Sequence, residues 1–545
     1  MKPEKGLKPW KREGQVIMEN RMEISGEKDS VSGRAETAAV PETHLCSTIR
    51  EILVESERKY GPLDAVRFKQ GKGSIAVRSY TQLRHDSESF SCAIRAMLPQ
   101  GAHVAVTGMT SYPWLAAYLG TVNAGDVAVP LDVSLPAEEL CELVDRSDAE
   151  ALVLDEVRKD VEAIVRQRCP KLKYLISMQK PEDDETALSF SGLLKKYEGS
   201  FEYEPSPEEL CTIMFTSGTT GKSKGVMLTH RNLAENATCL DMKIPSRTVI
   251  LSVLPIHHAY CLSMDILKGL SLGSVICIND SLLRVARNIK LFAPNMILMV
   301  PLMIETMAKK LEDAAGLPPE IVKREVFGEQ FHTICSGGAY LDPAYIDLFA
   351  RYGITILQGY GMTECAPVIS TTVSWNIRKE SVGQLLPNCE ARVVDGELQV
   401  RGSSVMQGYY KMPQETAETL VDGWLKTGDL GYVDEEGFVY LTGRRKNLII
   451  TKNGENVSPE ELENRLGRSR LIQEILVREN EGVIEAEIFP DYEYVKKQGI
   501  TDIRAALQKE IDNYNKEAAA YKKIYGLKVR ETEFEKTPSK KIKRY

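Results

Sequence analysis

Thr216-Ser217-Gly218-Thr219-Thr220-Gly221-Lys222-Ser223-Lys224-Gly225 packs hydroxyls, three glycines and two lysines into one loop directly after an apolar run. Glycines let backbone N–H groups approach phosphate oxygens, hydroxyls add donors, and lysines place positive charge against them, so the stretch reads as a polyphosphate cradle. It contains Gly-Lys-Ser, yet a Walker A loop needs a glycine five residues before Gly221, and Thr216 stands there. A Walker loop also opens a helix, whereas Val226-Met227-Leu228 continues as a strand-like run. The plainer alternative is a surface linker rich in Gly, Ser and Thr.

Outward from this loop, helical periodicity, as at 47–60, alternates with short apolar runs at 103–106, 127–130 and 151–154. The alternation continues through 249–254, 274–278, 296–300, 333–335 and 354–358. It predicts an α/β fold of doubly wound sheets whose ligands bind at the carboxyl ends of the strands. After Val382 the texture changes to short strands and glycine turns, the mark of a small β-barrel-like part. A charged segment, Gly443-Arg444-Arg445-Lys446, then opens a smaller α/β unit. The expected organisation is a disordered extension over 1–44, a large domain over 45–443 and a small mobile domain over 444–545.

A chain of 545 residues exceeds what one core can serve, and a net charge of −8 gives no reason to expect nucleic acid as a partner. No apolar run reaches the roughly 18 residues of a membrane span, and the first 44 residues lack a signal core. The cysteines, scattered from Cys46 to Cys389 without a C-x-x-C pair, fit reduced thiols in a cytoplasmic protein better than a disulfide frame or a zinc site.

Three further segments carry chemistry. In Gln358-Gly359-Tyr360-Gly361-Met362-Thr363-Glu364, Tyr360 is expected to lie against a base, and Glu364 offers a hard carboxylate oxygen to magnesium. Trp424-Leu425-Lys426-Thr427-Gly428-Asp429 places a carboxylate in a tight turn, where it would accept ribose hydroxyls or merely cap the turn. Lys541 lies in a basic run near the C-terminus whose commoner meaning is a solvated tail.

Together, in this order and spacing, these segments resemble the adenylate-forming superfamily, and most of all its AMP-forming long-chain fatty acid:CoA ligases. The resemblance spans roughly Leu45 to Arg544. It implies that Thr216, Ser217, Gly218, Thr219, Thr220, Gly221 and Lys222 form a mobile phosphate loop, with Thr216 joining Glu364 at the magnesium ion. Ser336, Gly337, Gly338, Ala339 and Tyr360 would frame the adenine, with Gly337 also at the substrate pocket; Gln358, Gly359 and Gly361 would join the nucleotide site, Thr363 would meet the α-phosphate, and Asp429 with Arg444 would hold the ribose. Lys446 matches the hinge of the small domain, and Lys541 the lysine which that domain inserts during adenylation, although Lys540 stands where a glycine is usual.

The implied reaction joins a carboxylic acid to ATP as acyl-AMP, releases pyrophosphate, and passes the acyl group to CoA. Leu254-Pro255-Ile256-His257-His258-Ala259-Tyr260 matches the acid-pocket motif, with His258 beside the substrate carboxylate; the alternative is a buried pair of core histidines. Amino-acid-activating relatives carry aspartate where Ala259 stands, which turns the reading toward a hydrophobic, fatty acid. The runs Met296 to Met303 and Ala366-Pro367-Val368 would line an uncharged pocket or serve equally well as ordinary core. Two other readings stay open, an acyl-AMP ligase loading an acyl carrier protein and a non-catalytic nucleotide-binding homologue.

Overall fold

Strand propensity alternates with capped amphipathic helices along most of the chain, and the result is a layered α/β structure. The computed structural model describes residues 44–71, 74–216, 222–314, 316–451, 455–536 and 542–544. Apart from His44, the expected extension over 1–44 therefore lies outside the described residues. The described residues belong to one unit, which carries the layered fold.

Two large sheets form its body. The first has nine strands in the order Gln384–Leu385, Val368–Thr371, Thr355–Gly361, Thr333–Ser336, Met296–Met299, Val249–Ser252, Val275–Ile278, Asp64–Gln70 and Ser74–Ser79. Its central strands run parallel, and Val275–Ile278 is buried at every position, as a strand covered on both faces must be. The second sheet has eight strands, ordered Gly408–Tyr409, Lys224–Thr229, Leu210–Thr216, Val127–Leu131, His103–Thr107, Ala151–Leu154, Tyr174–Ser177 and Leu188–Ser189.

The two sheets share one core. Val104, Ala128 and Met214 of the second join Ile276 and Leu298 of the first in a single apolar cluster. Helix Tyr112–Asn123 contributes Trp114 and Tyr118, both fully buried, and its near-uniform apolarity marks it as an internal helix. Gly120 lets it approach helix Tyr80–Met97, because a Cβ there would stand 2.6 Å from the Ser87 carbonyl oxygen.

Beyond these sheets, five antiparallel strands are built on Trp424–Val433. The last hundred residues have a core of their own, in which Val477, Ile488, Leu507 and Ile511 bring together a three-stranded sheet and helix Ile503–Glu517. Ion pairs join this part to the body: Arg468 with Asp342 at 2.6 Å, Lys309 with Asp491 at 3.2 Å, and Arg470 with Glu312. The cationic partners are largely exposed, so each pair contributes only about 0–1 kcal/mol. Such contacts hold an orientation weakly. Among the described residues no helix is long and apolar enough to cross a membrane, and all eleven cysteines are free.

Candidate active site

The phosphate-loop stretch begins where strand Leu210–Thr216 ends. It returns as Lys224–Thr229, with Thr216 opposite Lys224, so the loop closes a hairpin and opens no helix. Lys222 is exposed at its end, and residues 217–221 lie outside the described residues.

The nucleotide segment departs from its expected form. Gln358 to Gly361 are not a loop after a strand but the last residues of strand Thr355–Gly361. The strand is prolonged because Gly359 and Tyr360 pair with Thr371 and Ser370 of an antiparallel neighbour. Gly361 is obligatory here, since a Cβ would fall 1.9 Å from the Pro367 carbonyl oxygen. The Gln358 amide donates to the carbonyls of Lys379 and Ser381 at 2.9 and 3.0 Å, which fixes the strand rather than leaving that amide free for a ligand. Gly337, Gly338 and Ala339 follow the adjacent strand Thr333–Ser336, and Gly338 has a φ of +83°.

Asp429 also differs from expectation. It lies within the ten-residue strand Trp424–Val433 rather than in a tight turn, because its neighbour Val439–Arg444 pairs with it and sets Arg444 opposite Asp429. Its buried carboxylate accepts from the Tyr360 hydroxyl at 2.8 Å and forms an ion pair with Arg444, whose Nε is 2.9 Å away. Burial, and then the charge of Asp429, push the Tyr360 phenol well above its ordinary value, so it remains a donor. Tyr360, Asp429 and Arg444 thus form one rigid polar set.

Thr363 and Glu364 lie on the short turn Thr363–Cys365. The Glu364 carboxylate accepts from the Tyr409 hydroxyl at 2.9 Å, and its main-chain oxygen accepts from the Met406 N–H at 2.9 Å. Lys224 Nζ stands 4.7 Å from the Tyr409 ring centroid. Strand Gly408–Tyr409 pairs with the return strand of the phosphate loop, Tyr409 opposite Val226. The loop hairpin and the Glu364 turn are therefore linked through one tyrosine, a role that its place in the sequence gives no sign of.

The two histidines separate. His258 is exposed and His257 is buried, with ring centroids 4.3 Å apart. The buried pair offered as the alternative thus fails for His258, while Ala259 is buried beside it. His257 Nε2 lies 3.6 Å from Asp132. Burial and the neighbouring His258 lower its pKa to about 3, so the ring is neutral.

An apolar cavity of about 50 Å³ lies between Tyr260, Met296, Leu298, Val368 and Gly359. Met296, Leu298 and Val368 of the runs expected to line the acid pocket are among its lining residues, and so is Lys268.

Lys446 sits on the turn Arg445–Asn447, exposed, with its pKa lowered by partial burial and by the charges of Arg444 and Arg544. Arg544 is itself held by Glu463 and Glu460. The described end of the chain therefore returns to the Asp429–Arg444 region. Lys541 lies outside the described residues.

A nucleotide-binding α/β enzyme with a separate C-terminal core is the class that this fold and site define. The AMP-binding enzyme family model matches residues 56–410, and that of the AMP-binding enzyme C-terminal domain matches 446–545. The chain is 30% identical over 457 residues to the 4-coumarate–CoA ligase-like 9 protein of Oryza sativa subsp. japonica, covering 76% of this chain and 78% of that protein. It is 27% identical over 452 residues to the long-chain-fatty-acid–CoA ligase of Escherichia coli O157:H7, covering 73% of this chain and 78% of that one. The same fold occurs in the anthranilate CoA ligase AuaEII, solved in complex with anthranoyl-AMP, at a TM-score of 0.78 and 20% identity over 92% of this chain and 96% of that one. The chain belongs to the AMP-binding enzyme family and is an AMP-forming ligase of the acyl-CoA synthetase type.

Proposed function

We propose that this chain activates a hydrophobic, fatty-type carboxylic acid with ATP to acyl-AMP and pyrophosphate, and then forms the CoA thioester. The observation that carries the reading is the Tyr360–Asp429–Arg444 set standing four residues from Glu364, with an apolar cavity reaching Gly359 of the same strand. Asp429 and Arg444 would hold the ribose, Tyr360 and residues 337–339 the adenine, and Thr363 with residues 216–222 the phosphates. His258, exposed beside buried Ala259, would face the substrate carboxylate.

Attack of a carboxylate on the α-phosphate sets anion against anion, so the barrier is largely electrostatic. Magnesium fits the donors present: Glu364 supplies a hard carboxylate oxygen oriented by Tyr409, and Thr216 a hydroxyl, the sparse protein ligation typical of an ion shared with substrate phosphates. When bound, it would neutralise charge on the phosphates. Lys541 would add an ammonium at the α-phosphate. The acyl-adenylate is a reactive mixed anhydride, so the site must exclude water and afterwards admit the thiol. Rotation of residues 444–545 about Lys446, which would break the ion pairs of Arg468 with Asp342 and Lys309 with Asp491, would use one site for both half-reactions. Free thiols throughout fit a reducing, cytoplasmic setting.

The test is a pyrophosphate-release screen over aliphatic, aromatic and amino acids, repeated with CoA and with a pantetheinylated carrier protein. Acid-dependent release with aliphatic or aromatic acids, and thioester formation with CoA, are expected. Release with amino acids alone would overturn the reading.

A further inference from the structure

Among the described residues that line the apolar cavity, Lys268 alone is charged, and it is only 6% exposed. Its ammonium donates to the carbonyls of Ala237 at 3.1 Å and Leu240 at 2.9 Å, around the end of helix His230–Thr238. An ammonium has three N–H donors, and these two bonds use two of them. Among the described residues no carboxylate lies within ion-pair distance of it. Burial lowers its pKa, and the neighbouring Cys239, Asp241 and Cys335 oppose this only in part, Asp241 being paired with Lys243.

Closing a helix end needs no ammonium, and a cation buried against neutral oxygens alone is costly. A strictly hydrocarbon ligand would leave the third donor unsatisfied and remove any water that served it. Asn236, also on the lining, is already committed: its amide donates to Cys365, Val368 and Ser404 and accepts from the Val368 N–H. Lys268 therefore differs from Asn236 in having a donor left over.

Its position along the chain sets where it would act. Lys268 follows His258 through the continuous helical stretch Cys261–Leu267 and Lys268–Ser271. Ten residues of helix span on the order of 10–15 Å, the length of a medium acyl chain. We propose that Lys268 selects an acid bearing a second oxygen acceptor, above all a second carboxylate, at the end remote from the carboxyl group that is activated. The inference rests on the reading of this cavity as the acyl pocket. It changes the substrate class from a plain fatty acid to an ω-oxygenated or dicarboxylic one.

The experiment compares, on the full chain, acid-dependent pyrophosphate release with medium-length plain alkanoic acids, ω-hydroxy acids and α,ω-dicarboxylic acids matched in length. A kcat/KM about tenfold higher for the oxygenated series is expected, the size of one charge-assisted hydrogen bond. Preference for the diacid over the hydroxy acid indicates an anionic partner, and equal preference a neutral one; either supports the role. Lys268→Met is expected to bring the two series together through a higher KM for the oxygenated acids. Should that variant unfold, Lys268→Gln, which keeps two neutral donors for the helix-end carbonyls, and the wild-type comparison decide the matter. Equal or better use of plain acids by the wild type overturns the inference while leaving the hydrophobic-acid reading intact. Release with neither series removes the reading on which it rests.

Discussion

The Tyr360 hydroxyl donates to Asp429 Oδ2 at 2.8 Å, joining two strands of different sheets whose residues lie 69 positions apart. It ties the residue assigned to the base to the residue assigned to the ribose. Tyr360→Phe is expected to remove about 0.5–1.5 kcal/mol of this organisation, which raises the KM for ATP roughly two- to tenfold with kcat little changed. Asp429→Asn, which also deprives Arg444 of its counter-charge, is expected to be the more damaging. ATP titrations of pyrophosphate release on both variants check the order, and an unchanged KM in Tyr360→Phe would show that the pair does not serve the nucleotide.

Tyr409 orients Glu364 from the edge of the loop hairpin. Groups that orient a metal ligand typically matter 10–100-fold. Tyr409→Phe is therefore expected to raise the magnesium concentration for half-maximal rate by about tenfold, with a smaller effect on the acid KM. Titration of magnesium at fixed ATP measures it. A shift confined to the acid would break the link between Tyr409 and the metal.

Lys446 and Lys541 are assigned to different conformations of one enzyme. Lys541→Ala is expected to slow adenylation by roughly 10²–10³, the range for one lost electrostatic partner of the transition state, while thioester formation from supplied acyl-adenylate survives. Lys446→Pro is expected to adenylate normally and transfer slowly, because proline fixes φ at the pivot. Equal slowing of both half-reactions by Lys541→Ala, or a larger effect from Lys540→Ala, would reassign the inserted lysine.

His230 is buried, and its Nδ1 accepts from the Ile49 N–H at 3.3 Å. Burial lowers its pKa from the ordinary 6.5 to about 4. The unfolded chain thus takes up this proton first, so the stability is fully present above about pH 6.5 and is lost as the pH falls toward 4. The difference amounts to about 3 kcal/mol at the acid end. His257, with its pKa at about 3, acts in the same direction. Thermal melts between pH 7 and 4 are expected to fall steeply in the wild type and less so in His230→Gln; parallel curves would mean that other groups control acid unfolding.

The sequence alone determined what depends on neighbours along the chain. A phosphate loop works through glycines and hydroxyls adjacent in one hairpin, so 216–225 could be read without a fold, and so could the rejection of a helix after it. The buried parallel strands announced themselves as short apolar runs, because a strand covered on both faces has no polar side to alternate with. What tertiary structure decided is every partnership set by the register between distant strands. Asp429 reads as a turn residue beside Gly428, and only pairing with Val439–Arg444 draws it into a strand opposite Arg444. Tyr409 meets Glu364 across 45 positions because Gly408–Tyr409 adds to the loop hairpin. Lys268 looks like an ordinary surface lysine after an apolar run, and packing alone buries it against the apolar cavity. Residue chemistry is written locally, whereas the hydrogen bond that gives a side chain its task is fixed by which elements the shared core brings together.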